Sequence, residues 1–225
     1  MIGGRLFVSL ALCIWAVGAG LAGAALRPVA APSAVRSIGR SDAPVVVMEY
    51  ASLGCPHCAV WAKTEFPALK AKYIDTGRVR FEFHEMLNGN SSLAAAGWLT
   101  ARCAPAEKYL QVVEAVFAAQ DEITGGGGID TLAHIAKAAG VARPQLDACL
   151  ADEAALKALT ARADQAITVD KVTATPAFAV AAAPANSVTA AKLIGYQTLA
   201  QLDKAIAEVT PKPARQAPRR VRHAH

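Results

Sequence analysis

Cysteine is scarce in this chain, with five in 225 residues, and only Cys55 and Cys58 form a Cys-X-X-Cys pair. A structural zinc site normally needs a second ligand pair at similarly short spacing. Cys103 and Cys149 instead stand alone in separate segments. The scarcity of cysteine therefore argues against a metal site, and metal binding by the thiols is kept only as an alternative.

Aromatic residues make up 6% of the chain, and nothing in their arrangement marks a cofactor site. We therefore expect no cofactor, and we expect Trp61, Trp98 and Phe117 to lie in the core or at a domain interface. Acidic residues are absent from the Pro-rich end of the chain, which carries a group of basic residues: Lys212, Arg215, Arg219, Arg220 and Arg222.

This basic tail accounts for the formal net charge of +5, so the folded body is not basic. A short charged terminus is usually solvated, and we expect no nucleic-acid partner. Attraction of the tail to anionic lipid or nucleic acid is the alternative.

The chain does contain an apolar strand, Val45–Tyr50, that leads into Cys55-Pro56-His57-Cys58 at the start of a predicted helix. Unpaired N–H groups and the helix dipole there favour a Cys55 thiolate, and His57 can add positive charge. Pro56 suits the first helical position, and Cys58 follows on the same face. The pattern predicts a reversible disulfide whose reduced form is stabilised, which makes it an oxidant of other thiols. A purely structural Cys55–Cys58 bond is the alternative, although so short a ring constrains the unfolded chain little.

These residues resemble the DsbA-like thiol:disulfide oxidoreductases of the thioredoxin superfamily. The Cys-Pro-His-Cys motif matches, and Glu49 on the preceding strand matches the family's buried acid. Thr175-Pro176 matches the cis-proline loop, and Gly195 with the stretch QTLAQLDKAIAEV matches the closing strand and helix. The resemblance covers residues 41–209 and implies an α/β thioredoxin fold with an inserted all-helical domain.

The resemblance implies that the Cys55–Cys58 pair donates a disulfide to reduced exported client proteins and that a membrane-bound DsbB-like partner reoxidises it. It also implies that Glu49 helps proton movement at Cys58, and that Thr175 and Pro176 lie against the disulfide and offer backbone to a substrate strand. An outward-facing Glu49 at a strand end is the alternative. An isomerase or reductase of the same fold is another reading, although the short linker leaves no dimerisation module and predicts a monomer. A non-catalytic peptide-binding or chaperone domain is a third.

Residues 1–24 resemble a secretory signal peptide, because Arg5 precedes an uncharged apolar run that ends near small residues. The run is also long enough to be an uncleaved membrane anchor. Either form predicts an exported, periplasmic domain. Removal of Cys13 with the signal would leave four cysteines, as expected for one redox pair and one structural disulfide, Cys103–Cys149. Two buried free thiols are the alternative.

The remaining patterns predict a linker over 25–41, a thioredoxin-like domain over 42–90 and 171–209, a helical insertion over 91–170, and a disordered tail over 210–225. Strands are predicted at Val45–Tyr50, Val79–His84, Ala177–Ala181 and Val188–Ile194. The predicted helices begin with one from Cys55 to Tyr73 that Pro67 interrupts. The others lie near 91–103, 106–119, 129–139, 144–150, 152–169 and 198–209, with Gly125–Gly128 as a break. His84 and His134 are expected to have no part in the chemistry.

Overall fold

The computed structural model describes residues 35–185 and 190–211, which form a five-stranded sheet with helices around it. The strand order is β1-β3-β2-β4-β5. Strands β2 and β3 are parallel and every other neighbouring pair is antiparallel. The strands are β1 (Arg36–Ile38), β2 (Val45–Ala51), β3 (Val79–Glu85), β4 (Ala177–Ala182) and β5 (Ala191–Ile194). The predicted signal segment and nearly all of the basic tail lie outside the described residues.

Strand β2 lies at the centre of the sheet, and all seven of its residues are buried. An almost continuously apolar strand is expected where helices cover both faces of a sheet. Strand β3 alternates buried and partly buried residues, as its alternating sequence predicted. The parallel pairing of β2 with β3 and the antiparallel β4–β5 pair confirm the predicted thioredoxin arrangement.

The predicted linker requires a correction, because Arg36–Ile38 forms strand β1 and pairs antiparallel with Phe81–Phe83 of β3. The fold therefore begins before Asp42. A three-residue edge strand is too short to produce a recognisable alternation, so its pairing depends on the neighbouring strand rather than on its own sequence.

The predicted long helix after Cys55 is divided into α1 (Pro56–Thr64), α2 (Phe66–Leu69) and a π-turn at Lys70–Ile74. The break falls at Glu65, where φ is −106°, and not at Pro67 as predicted. Pro67 thereby occupies the first turn of α2, where the missing N–H would have had no helical partner.

The all-helical insertion contains α3 (Ser91–Cys103), α4 (Tyr109–Ala118), α5 (Gln120–Glu122), α6 (Gly128–Ala138), α7 (Arg143–Leu150) and α8 (Glu153–Thr168). The side chains of Asn90 and Asp152 cap α3 and α8 by accepting backbone N–H bonds. The predicted glycine break is a π-turn in which Gly126 has a φ of +125°. A disulfide joins Cys103 of α3 to Cys149 of α7, in agreement with the expected pairing.

A buried carboxylate, Glu85 at the end of β3, joins the sheet to the helical insertion. Arg102 donates to its Oε1 over 2.5 Å, Arg162 donates to its Oε2 over 2.8 Å, and the Tyr109 hydroxyl donates to its Oε1 over 3.1 Å. Glu85 is 2% exposed. Such charge-assisted bonds have defined directions, so they orient α3, α4 and α8 on the sheet.

The chain closes with α9 (Leu199–Val209), which packs on β2 and β4. Its amino end has a capping box in which Thr198 and Gln201 bond each other's backbone N–H groups. Trp61, Trp98 and Phe117 are buried, as predicted. Among the described residues, no helix is both long and apolar enough to cross a bilayer.

Candidate active site

The candidate active site lies where β2 ends and α1 begins. Cys55 is the N-cap of α1, with an extended φ of −100°, and Pro56 occupies the first helical position. The carbonyl of Cys55 accepts the N–H groups of Cys58 and Ala59 at 3.1 and 3.2 Å. Both thiols are free and buried, with Cys55 at 6% exposure and Cys58 fully covered.

The two sulfurs have opposite acid–base properties. The hydrogen bond from the Cys58 side chain is the largest cause that lowers the pKa of Cys55, from 9.0 to about 5. A Thr175 side-chain bond and the backbone N–H groups of Cys58 and His57 lower it further, against the effect of burial. The same bond, burial and nearby Glu49 raise the pKa of the Cys58 thiol above its ordinary value. The pair therefore holds one proton on Cys58 and a thiolate on Cys55 at neutral pH.

His57 and Pro56 are exposed on the first turn of α1. The backbone N–H of His57 acts on the Cys55 sulfur, as expected for a residue at a helix start. Their exposure leaves this side of the site open to a macromolecular substrate.

Glu49 lies on β2 opposite Phe83 of β3 and Phe178 of β4, and it is 1% exposed. The structure therefore excludes the outward-facing alternative. Its Oε1 has no hydrogen-bond partner among the described residues, and burial raises the pKa of this carboxyl from 4.5 to about 8. Burial favours the neutral form of a carboxyl, so Glu49 carries a proton at neutral pH beneath the site.

The loop before β4 covers the Cys55 sulfur from the other side. The Thr175–Pro176 peptide bond is cis, as the resemblance implied, and Thr175 is 8% exposed. The Cys55 thiol donates to the Thr175 carbonyl over 3.5 Å. The structure thus brings this loop onto a cysteine that precedes it by 120 residues in the sequence, whereas Glu49, Cys55 and Cys58 are sequence neighbours.

Sequence reasoning missed a contact between two glycines that holds the cysteine loop against the β3–α3 loop. A Cβ on Gly54 would overlap the carbonyl oxygen of Asn90, and a Cβ on Gly89, whose φ is +75°, would overlap the carbonyl oxygen of Gly54. The Asn90 N–H donates to the Gly54 carbonyl at 3.0 Å. The Asn-Gly dipeptide at 88–89 is a turn signal that could have located the bend, but it does not indicate which residues the bend contacts.

Gln120 of α5 was also missed, since nothing local in the sequence identifies it. Its Nε2 donates to the carbonyls of Leu53 and Cys55 at 2.7 and 3.2 Å. Gln120 is buried, so its amide supplies a donor to the buried Leu53 carbonyl and adds one to the Cys55 carbonyl, which also accepts two N–H groups of α1. The helical insertion thereby fixes the backbone at the cysteine loop.

A groove of about 610 Å³ runs beside α1 and is lined by residues of α1, α4 and α5, including Pro56, Val60, Phe117 and Gln120. Val60 is 51% exposed in it. The groove adjoins the exposed side of the cysteine pair and extends the apolar surface available there.

His84 and His134 lie away from this site. His84 packs against the Tyr50 ring at 4.7 Å between centroids and is within 3.4 Å of Glu82. His134 lies on α6 in the helical insertion. Neither position gives these residues a part in thiol chemistry.

The comparisons with known proteins agree with this geometry. A family profile described as thioredoxin matches residues 33–204. A Rickettsia bellii protein assigned to the protein-disulfide oxidoreductases is 30% identical over 173 residues, which are 76% of this chain and 64% of that relative. The chain thus spans less than two thirds of that relative's length. Disulfide bond formation protein D of Bacillus subtilis is 40% identical over 60 residues, 26% of this chain and 27% of its own.

Solved structures give the same fold. The crystal structure of alpha-DsbA1 from Wolbachia pipientis has a TM-score of 0.70 at 24% identity, and the match covers 78% of this chain and 90% of that one. BdbD from Bacillus subtilis has a TM-score of 0.62 at 20% identity over 77% and 91% of the two chains. The chain therefore belongs to the thioredoxin family and has the DsbA-type fold, in which an all-helical domain is inserted into the thioredoxin domain.

Proposed function

We propose that this chain is an exported thiol:disulfide oxidoreductase that donates the Cys55–Cys58 disulfide to reduced client proteins. The observation that carries the proposal is the division of the pair into a Cys55 whose pKa is lowered to about 5 and a Cys58 whose pKa is raised. A stabilised thiolate favours the reduced pair, and a disulfide whose reduced form is favoured oxidises other thiols. The names of the relatives support disulfide exchange.

In the first step, a client thiolate attacks Sγ of Cys55 in the oxidised pair. The Cys55–Cys58 bond breaks, a client–Cys55 disulfide forms, and Cys58 leaves with the electron pair. The burial and the high proton affinity of Cys58 mean that this sulfur leaves only if it gains a proton. Glu49 is the proposed proton source, because it is buried beside Cys58 and protonated at neutral pH.

In the second step, another client thiolate attacks the client sulfur of the mixed disulfide. The client gains its disulfide, Cys55 leaves as a thiolate, and two electrons have passed from the client to the pair. The low pKa of Cys55 makes it a good leaving group. Reoxidation of the pair passes these two electrons on to an acceptor, for which we propose a membrane-bound DsbB-like partner.

Thr175 and Pro176 are proposed to bind the client backbone beside Cys55, which the contact of this loop with the sulfur supports. Cys103–Cys149 is proposed as a structural disulfide of the insertion. The same proposal assigns the protein to the periplasm, as a monomer that acts on proteins and not on nucleic acid.

The test is disulfide donation to a reduced, unfolded model protein by the oxidised full chain. We expect one client disulfide per active site, no donation by Cys55→Ala, and accumulation of mixed disulfides with Cys58→Ala. Correction of a scrambled model protein without net oxidation would favour an isomerase instead. Client binding without any thiol exchange would favour a peptide-binding domain, and stoichiometric zinc on the reduced pair would favour a metal-binding protein.

A further inference from the structure

The side chain of Asn88 links the β3–α3 loop to the residue that contacts the Cys55 sulfur. Its Nδ2 donates to Oγ1 of Thr175 over 2.5 Å. The backbone of Asn88 is fixed as well, because the Ser52 hydroxyl donates to its carbonyl over 2.6 Å. The backbone that carries the Asn88 side chain is thus held by Ser52, which lies between the end of β2 and Cys55.

A threonine hydroxyl has one hydrogen and two acceptor lone pairs. When Oγ1 of Thr175 accepts the Asn88 amide, its own hydrogen is left to donate elsewhere. The backbone carbonyl of Thr175 lies 3.5 Å from the Cys55 sulfur, which places this residue beside it, and the Thr175 side chain is among the groups that lower the pKa of Cys55. We propose that Asn88 is a positioning residue that orients the Thr175 hydroxyl as a hydrogen-bond donor to the Cys55 sulfur and thereby favours the reduced pair. This role rests on the proposed thiol:disulfide function.

Several groups surround the Cys55 sulfur, and the proposed bond from the Thr175 hydroxyl acts together with them on the stability of the thiolate. From α1, Cys55 faces the Cys58 thiol and the backbone N–H groups of residues 57 and 58. From the loop before β4 it faces Thr175, whose side chain is among the groups that lower the pKa of Cys55. The Thr175 carbonyl accepts the Cys55 thiol when that thiol is protonated. Thr175 can therefore serve both forms, as acceptor to the thiol and as donor to the thiolate.

The sign of the effect follows from which end of the amide faces Thr175. With the NH₂ group facing Oγ1, as in this structure, the hydroxyl hydrogen remains free for the sulfur. An acceptor in that position would instead take the hydroxyl hydrogen and withhold it from Cys55. A carboxylate at position 88 reproduces that case, so Asn88→Asp is the variant that reverses the contact.

The experiment is a double-mutant cycle of Asn88→Ala and Thr175→Val, read as the equilibrium constant for reduction of the Cys55–Cys58 disulfide by glutathione in the full chain. One hydrogen bond corresponds to a change of about threefold to tenfold. We expect each single variant to lower the constant by about this factor, and the double variant to lower it no further. Asn88→Asp should lower it at least as much in the presence of Thr175, and its effect should shrink in the Thr175→Val background.

Gln111→Ala is the matched control, because Gln111 is an exposed amide on α4 whose side chain contacts Lys108. It should leave the constant unchanged. An unchanged constant in Asn88→Ala, or a double variant that loses the product of the two single factors, would overturn the role of Asn88. If Asn88→Ala fails to fold, Asn88→Ser, which shortens the side chain, enters the same cycle.

The wild-type constant tests the proposed function separately. A constant like that of thioredoxin would contradict a disulfide donor but would leave the coupling between Asn88 and Thr175 measurable. A strongly oxidising wild type without coupling would contradict only the positioning role.

Discussion

The Cys55 thiolate should contribute to the unfolding free energy of the reduced protein an amount that grows with pH, and Cys55→Ala should lose that contribution. The pKa of this thiol falls from 9.0 in the unfolded chain to about 5 in the fold. Between these values the unfolded chain binds a proton that the folded chain has released. The contribution of Cys55 to stability therefore increases with pH across the window from 5 to 9, and it is lost as pH falls through about 5. Glu49 acts in the opposite direction between about 4.5 and 8, so the contribution of Cys55 is read as the difference between wild type and Cys55→Ala.

The pKa of Cys55 in the fold lies about two units below pH 7, and each unit corresponds to about 1.4 kcal/mol. Ionisation of Cys55 therefore adds at most about 3 kcal/mol to the unfolding free energy at pH 7. His57 and Pro56 are exposed beside the sulfur, and water there screens part of this effect. We expect a net contribution of about 1–3 kcal/mol at pH 7.

The assay is urea unfolding followed by tryptophan fluorescence, with the reduced wild type and reduced Cys55→Ala compared at several pH values. Peptide mapping verifies that Cys55 and Cys58 are reduced while the Cys103–Cys149 disulfide remains intact. The stability difference between the two proteins should grow as pH rises above about 5. Oxidised wild type, in which neither active-site sulfur titrates, provides the control and should lack the same rise. A difference that does not change with pH would refute the stabilised thiolate.

Three further predictions concern the surroundings of the site. Burial raises the pKa of Glu49 to about 8, so its contribution to stability is complete below about pH 4.5 and is lost as pH rises through 8. Glu49→Gln should therefore be more stable than wild type by up to about 3 kcal/mol at pH 7 and equal to it at low pH, in the same urea assay. An equal difference at both pH values would contradict the buried acid, and unchanged thiol exchange across pH would remove its proton-transfer role. Gln120→Leu leaves the Leu53 carbonyl without its side-chain donor and removes one donor from the Cys55 carbonyl, so it should cost about 1–3 kcal/mol, whereas Gln111→Leu at an exposed position should cost almost nothing. Equal melting temperatures of these two variants would contradict a stabilising role for the Gln120 hydrogen bonds. Joint replacement of Cys103 and Cys149 by serine opens a loop with a sequence separation of 46, which should lower stability by about 4 kcal/mol in the same denaturant assay. The variant should retain disulfide donation, and loss of donation in the folded variant would contradict a purely structural bond.

The parts of the site that lie close together in the sequence could be predicted from it. The apolar run into Cys55, the proline at the first helical position and the second cysteine three residues later are local patterns, so they indicated both the strand–helix junction and the thiolate. The roles of Glu49 and Thr175 came from resemblance, since the approach of Thr175 to the sulfur depends on the pairing of β2 with β4 in one sheet.

The remaining contacts depend on packing that no local pattern records. Gln120 reaches a carbonyl 67 residues away, and its role follows from how α5 packs against the cysteine loop. The break at Glu65, two residues before Pro67, also differs from the sequence expectation, because proline is tolerated in a first helical turn. The sequence analysis gave Asn88 no role, and its contact with Thr175 forms only once both loops are in place.

The most direct test of the whole account is the reduction potential of the Cys55–Cys58 pair, equilibrated against glutathione with Cys103 and Cys149 monitored separately. Thioredoxin has a potential of about −270 mV. A potential well above that value is the predicted result, because it would mean that the Cys55 thiolate stabilises the reduced pair and drives disulfides into clients. A thioredoxin-like potential would contradict the account and indicate a reductase supplied by another electron donor.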